Sequence, residues 1–442
     1  MEKYRHIAHI IIEARTALKI GSNSIDALQD SPIQKDWNGL PMILGTSLAG
    51  VLRKEFDKTK VNDVFGDEDS KKKESKGSRV IFSNALLLNE DKKVTETLLL
   101  EKSDFLKNFE ILPIRDHNSM NDKGVTNKHG KFDEEIIYKG TRFKFSIELI
   151  SNKDDKEEFK SILDELYKNS FRVGAGSSKG YGQIEVLEIT YDTFDITSKE
   201  YIEFSSSLNK TLKEKYENKS IIDDKYIKYE LKLTPDDFFM FGSGYGDEQV
   251  DMTPVVEKVI DYENKTLSEE KIVIPASSVK GAISHRTTYH YNLKKGNFIE
   301  NGVKAQIVED IFGAKKDKKI DGFKGNILIS DLYLEKNDTK IFDHVSIDRF
   351  TGGAIEGALF QEKTVASCES FILEILLNKE KIKDEVAIEA FENALKDITT
   401  GMLSLGGATT KGHGVFGGIV LKMEKNYENL WRDKKLLYKF RR

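Results

Sequence analysis

Apolar residues follow two alternating periods along this chain. Residues 4–14 and 226–233 read as strands, the second with clear apolar–polar alternation. Leu48, Val51, Leu52 and Phe56 follow Ser47 at helical spacing. Val279 and Ile283 follow Ser278 in the same way, so Ser47 and Ser278 read as helix N-caps. β-rich stretches at 80–88 and 326–334, then at 143–150 and 371–377, predict two more strands in each half. A second helix is marked by Phe159, Ile162, Leu163 and Leu166, and its partner by Phe391, Leu395 and Ile398. A glycine-rich loop and a last strand, 183–189 or 417–423, close each series. The order β-α-β-β-α-β is the ferredoxin-like motif, so the expected fold class is α+β with two such domains in tandem.

Motifs repeat in the same order as the periods. Lys19-Ile20-Gly21-Ser22 returns as Met240-Phe241-Gly242-Ser243, an offset of 221 that also relates Asp30 to Asp251. ILGTSLAG at 43–50 matches IPASSVKG at 274–281, and Val64-Phe65-Gly66 matches Ile311-Phe312-Gly313. Ser83-Asn84 matches Ser330-Asp331, and GAGSSKGYG at 174–182 matches GGATTKGHG at 406–414. Offsets that drift only through loop insertions are what a duplication leaves. The expected domains are 1–200 and 225–442, joined by a polar, charged linker at 201–224.

With 442 residues, each half is long enough to bury a core. The net charge of −5 excludes holding nucleic acid by bulk positive charge and leaves room for a local basic groove. Cys368, the single cysteine, excludes a disulfide framework and a cysteine-based zinc site, and fits a reducing cytosol. The charged N-terminus and the lack of a long apolar run predict a soluble cytoplasmic protein with no membrane partner. His6, His9, His285, His290, His344 and His413 show no metal-binding pairing.

The glycine loops are not P-loops, because Lys179 and Lys411 precede their glycines and each loop leads into a strand. Two readings remain for them. The backbone N–H groups, with Ser177, Ser178 and Lys179 or Thr409, Thr410 and Lys411, can cradle RNA phosphates. Alternatively the glycines only take positive φ in a tight helix-to-strand connection. Tyr181 and His413 share one loop position and either stack on a base or cover the sheet end. Ser47, Ser277 and Ser278 combine N-cap chemistry with a phosphate-binding helix start, and Arg53, Lys280 and Arg286 lie close to it. Asp30, taken alone, reads as a turn former in a polar loop.

Gly21-Ser22, Asp30-Ser31-Pro32, Gly39-Leu40-Pro41, ILGTSLAGVLR at 43–53 and the terminal GAGSSKGYG together resemble the RAMP proteins of type III CRISPR effector complexes. Within these the chain is most similar to the backbone subunit of the Cas-seven group, seen twice. IPASSVKG is the nearer match to that group's helix-opening motif, and Ile347-Asp348-Arg349-Phe350-Thr351-Gly352 resembles its Asp-Arg-x-Thr segment, which leads into a β-hairpin thumb.

The resemblance implies two RAMP palms with thumb insertions, stacked along a guide RNA among other effector subunits of an antiviral defence complex. Each thumb would flip one base pair out of the guide–target duplex. Asp30 and Asp251 match the aspartate required for target RNA cleavage, either as general base or as ligand to Mg2+ or another divalent cation. The RNA-contacting set would then be Ser47, Arg53, Ser277, Ser278, Lys280, Arg286, Arg349 and the two glycine loops. There are departures: Ala49 replaces the motif lysine, Ser284 stands in place of Arg53, and Ile114-Arg115-Asp116-His117 stands where the second repeat has Ile347-Asp348-Arg349. The stretch 118–130 reads as the first thumb, with His117 and His129 expected in solvent. A non-cleaving guide-RNA scaffold and a guide-processing ribonuclease are the rival readings.

Overall fold

In the computed structural model, residues 3–22, 32–67, 76–120, 126–218, 223–297, 306–314, 321–423 and 434–439 are described. The first repeat runs β1 (Tyr4–Ala14), α1 (Gly45–Glu55), β2 (Val80–Phe82), β3 (Ala85–Leu87), β4 (Ile114–Met120), β5 (Thr126–Glu135), β6 (Arg142–Ser151), α2 (Lys156–Glu165) and β7 (Ile184–Asp195). The second runs β8 (Tyr226–Pro235), α3 (Ala276–Lys294), β9 (Ile327–Ile329), β10 (Leu332–Tyr333), β11 (Asn337–Ile347), β12 (Ala354–Cys368), β13 (Phe371–Asn378), α4 (Glu385–Thr399) and β14 (Phe416–Met423).

Both repeats build the antiparallel ferredoxin-like sheet in the same strand order. In the first, β2 and β3 pair with β6, β6 with β1, and β1 with β7. In the second, β9 pairs with β13, β13 with β8, and β8 with β14. Alternation fixes which way each strand faces. Along β6 every second residue is buried, so Phe143, Phe145, Ile147 and Leu149 point to the helices while the residues between them do not. α4 buries Ala387, Ala390, Phe391, Ala394, Leu395 and Ile398, a 3.6-period stripe lying on the second sheet.

The predicted strands at 80–88 and 326–334 are each broken in the middle, at Ser83-Asn84 and at Ser330-Asp331. The break is what caps the helices. Asn84 Oδ1 accepts the Gly45 N–H at 2.9 Å, and Asp331 Oδ1 accepts the Ala276 N–H at 2.8 Å. Ser47 and Ser278 are therefore not N-caps; both lie inside the first turn, and the cap positions are Leu44 and Pro275. A partner from a neighbouring strand does the work usually given to a local hydroxyl.

The 201–224 stretch contributes Glu214–Lys215 as a short strand beside β7, and Leu208 and Leu212 are buried. The two repeats share a broad junction. Ile260 and Tyr262, from the second repeat, belong to the first core. The Tyr262 hydroxyl donates to Leu88 O at 2.8 Å, and its ring meets Phe105 edge-on. Arg115 at the base of β4 reaches across to pair with Glu257 and Asp331. Arg172 is also buried here and donates to Ser330 Oγ at 3.0 Å. Burial pulls its guanidinium down to about 10, which still leaves it charged at neutral pH.

Candidate nucleic-acid interface

Each glycine loop passes against the segment that follows its repeat's first strand, at the same place in both. Ala175 N–H donates to Lys19 O and Gly407 N–H donates to Met240 O. A Cβ on Gly174 or Gly406 would collide with those same carbonyls, and both glycines have positive φ, at 84° and 97°. Close approach and backbone conformation both demand glycine here. Beyond that point the loops differ. The first is clasped by the second repeat: Lys280 donates to Ser178 Oγ at 3.2 Å, and Asp331 N–H donates to Gly180 O. Ser177 is buried, while Lys179 stands over the Phe132 ring. The second loop leaves Thr409, Thr410 and Lys411 exposed, with open space beside Gly412.

A hairpin rises from each palm between its second and third ferredoxin strands: β4–β5 in the first repeat and β11–β12 in the second. Cross-strand pairing sets His117 opposite Phe132 and His344 opposite Phe360, with the rings stacked in both cases. Arg115-Asp116-His117 therefore corresponds to Phe342-Asp343-His344, which corrects the expected match to Asp348-Arg349. The signal was in the sequence: Ile-x-Asp-His-x-Ser occurs at 114–119 and again at 341–346. Asp348 to Thr351 instead forms the turn at the tip of the second hairpin, where the Asp348 carboxylate accepts the Phe350 N–H. Arg349 is exposed on that tip beside Phe350, which is 100% exposed. Ile347, Ile355 and Leu359 add further exposed apolar surface along the hairpin.

At the hairpin bases, His117 is buried rather than solvated, because Glu134 on the opposite strand and Tyr181 on the glycine loop enclose it. Its Nε2 lies 2.8 Å from the Tyr181 hydroxyl and 3.2 Å from Glu134 Oε2. Lys19 donates to Glu134 Oε1 at 2.5 Å. Burial alone would raise the Glu134 carboxyl, but hydrogen bonds from His117 and Lys19, with their charges, hold it down to about 2. In the second repeat Glu362 is 1% exposed, with His413, His344 and Lys411 around it. Tyr181 and His413 are both buried, so they cover the sheet end and offer no face to a base. His129's side chain lies outside the described residues.

The predicted catalytic pair divides. Asp30 lies outside the described residues. Asp251 is exposed at the foot of the second hairpin, where its Oδ2 accepts the Gln361 N–H at 2.7 Å. Arg53 donates to Phe65 O, within its own repeat. Arg286 pairs with Asp397 on α4 at 2.5 Å, a helix–helix ion pair that includes His290. Ser47 and Ser278 are exposed, and Ser277 half-buried, on the first turns of α1 and α3. Among the described residues no three His, Cys, Asp or Glu side chains converge to hold a metal ion. Asp251 can offer one carboxylate, which suits only an ion that keeps its waters and shares an RNA phosphate. No helix among the described residues is long and apolar enough to cross a membrane.

A family model described as RAMP superfamily matches residues 11–185 and 258–417, the greater part of both repeats. No curated protein matches the chain.

Proposed function

The chain belongs to the RAMP superfamily, and from that premise we propose that it is a two-unit backbone subunit of a type III CRISPR ribonucleoprotein. It is a CRISPR-associated RNA-binding repeat protein; the finer reading is that it holds guide RNA and cleaves complementary target RNA at two positions. The observation that supports this best is the duplicated palm, with a hairpin at the same place on each and Asp251 tied to the foot of one. The exposed Thr409, Thr410 and Lys411, Ser47 and Ser278 on the helix starts, and Arg349 at the hairpin tip are the groups open to RNA.

Cleavage of this kind asks little of the protein. The 2′-oxygen of the target attacks its own neighbouring phosphorus, and the 5′-oxygen of the next nucleotide leaves. The products are a 2′,3′-cyclic phosphate and a 5′-hydroxyl, with the 2′-hydroxyl proton passing to a base and the leaving oxygen taking one up. The chain must hold the flipped nucleotide in line and accept one proton, roles we assign to the thumb and to Asp30 or Asp251. A magnesium ion at Asp251 would add charge stabilisation on the phosphate. A non-cleaving scaffold remains the second reading, favoured by the Asp251 carboxylate already serving the Gln361 amide.

Target cleavage by the guide-loaded complex separates the two. Asp30→Ala and Asp251→Ala should each erase one product boundary and leave binding nearly unchanged, and a 2′-deoxy nucleotide should block cleavage at that position alone. Two intact boundaries in the double variant would leave the scaffold reading.

A further inference from the structure

The contact between the repeats joins two different faces: the glycine-loop side of the first palm seats on the helix-start side of the second. Arg115, on the loop side, donates to Glu257 at 2.6 Å and to Asp331 at 2.5 Å, and Arg115 and Asp331 are each 5% exposed. Arg172, also buried, donates to Ser330 Oγ. From the helix side, Lys280 donates to Ser178 Oγ, and a Cβ on Gly180 would strike the Asp331 carboxylate.

The duplication places the same two faces on the outer sides of the pair, a helix-start side on the first palm and a loop side on the second. The charged positions of the joint have changed there. Arg115 is matched by Phe342, and Arg172 by Ser404, each two residues before the first glycine of its loop. On the first palm, Asp331 is matched by Asn84 and Lys280 by Ala49. Glu257 is matched at the offset of 221 by Asp36, whose carboxylate accepts the Asn38 and Leu40 N–H groups of its own turn at 2.8 and 2.9 Å. Gly412, the counterpart of Gly180, has nothing within 4 Å of where a Cβ would stand.

We infer that Arg115, Arg172, Lys280 and Asp331 are specificity-determining residues: they commit the second palm to the first, and their replacement on both outer sides keeps one copy of the chain from stacking on another. Had the outer sides kept the residues of the joint, they would be complementary, and a head-to-tail contact that does not close on itself grows into an open filament. Charges across a contact choose the partner more than they add affinity. In a copy-on-copy arrangement Phe342 and Ser404 would face Asn84 and Ala49, so these positions form no ion pair, and no ammonium stands at the Lys280 position to reach Thr410, the counterpart of Ser178.

The test uses the full chain without RNA, so it is independent of the cleavage reading. In sedimentation velocity at about 1–100 µM, wild type should run as a single species of 50.3 kDa. The helix-start side is recharged by Ala49→Lys with Asn84→Asp, and the loop side, in a separate protein, by Phe342→Arg. Each protein alone should stay monomeric. Mixed, they should form a one-to-one complex that grows no further, because each brings a single recharged side. All three substitutions in one chain should give a ladder beyond the dimer that lengthens with concentration. If Phe342→Arg unfolds the hairpin, where Phe238 packs on that ring, Ser404→Arg carries the same test. Wild type that self-associates in this range, or a mixture of folded variants that stays monomeric, would overturn the inference.

Discussion

Arg115 is the residue on which the junction between repeats turns. It is 5% exposed, pairs with Glu257 and Asp331, and stacks over the Tyr181 ring at 4.8 Å. Burial works against its charge, but Asp331 and Glu257 raise its pKa well above the ordinary arginine value. Removing one partner from a buried network costs more than the network was worth, because the others keep their desolvation penalty. Arg115→Met should therefore lower stability by about 3–5 kcal/mol in urea unfolding of the full chain. Adding Asp331→Asn should recover part of that loss, since Asn84 shows that an uncharged amide can cap the equivalent helix. A single variant within about 0.5 kcal/mol of wild type would mean that the network is solvated.

At the scale of elements, the two glycine loops have identical roots and unlike surroundings. The first is a joint between repeats and the second is open, so under the proposed function phosphate contact falls mainly to the second. Lys411→Ala should reduce the salt slope of guide binding by about one unit, and Lys179→Ala by less. An unchanged slope for Lys411→Ala would return the second loop to a purely structural role. The strands, helices and glycine loops were legible in the sequence because their signals are local: alternation along β6, a 3.6 stripe along α4, and glycines where backbone meets backbone. The helix caps were not, because Asn84 and Asp331 lie 39 and 55 residues from the amides they receive. The burial of His117 was equally hidden. Its enclosure needs Tyr181 from a loop 64 residues away, and no period along β4 reports that. The equivalence of the hairpin bases was legible, because Ile-x-Asp-His-x-Ser stands at 114–119 and at 341–346.

Across the whole molecule, the palms are not two beads on a string. Tyr262 from the second repeat fills the first core, beneath Phe105 and beside Arg142, whose guanidinium lies 4.6 Å from the ring. Tyr262→Ala should cost about 3–5 kcal/mol, as for other large aromatic truncations, although it lies 62 residues past the expected end of the first domain. Calorimetry should still show one transition, because each half supplies part of the other's support. Two separate transitions in the wild-type chain would contradict this.

That shared core also sets an order of events at the ribosome. A first palm that borrows Tyr262 cannot close its interior when residue 200 emerges; it must wait for the segment that follows. At 5–20 residues per second, the roughly 60 intervening residues take on the order of 3–12 s. During that interval the apolar floor under Phe105 is uncovered, an opportunity for chaperones and a hazard for neighbouring nascent chains on the same messenger.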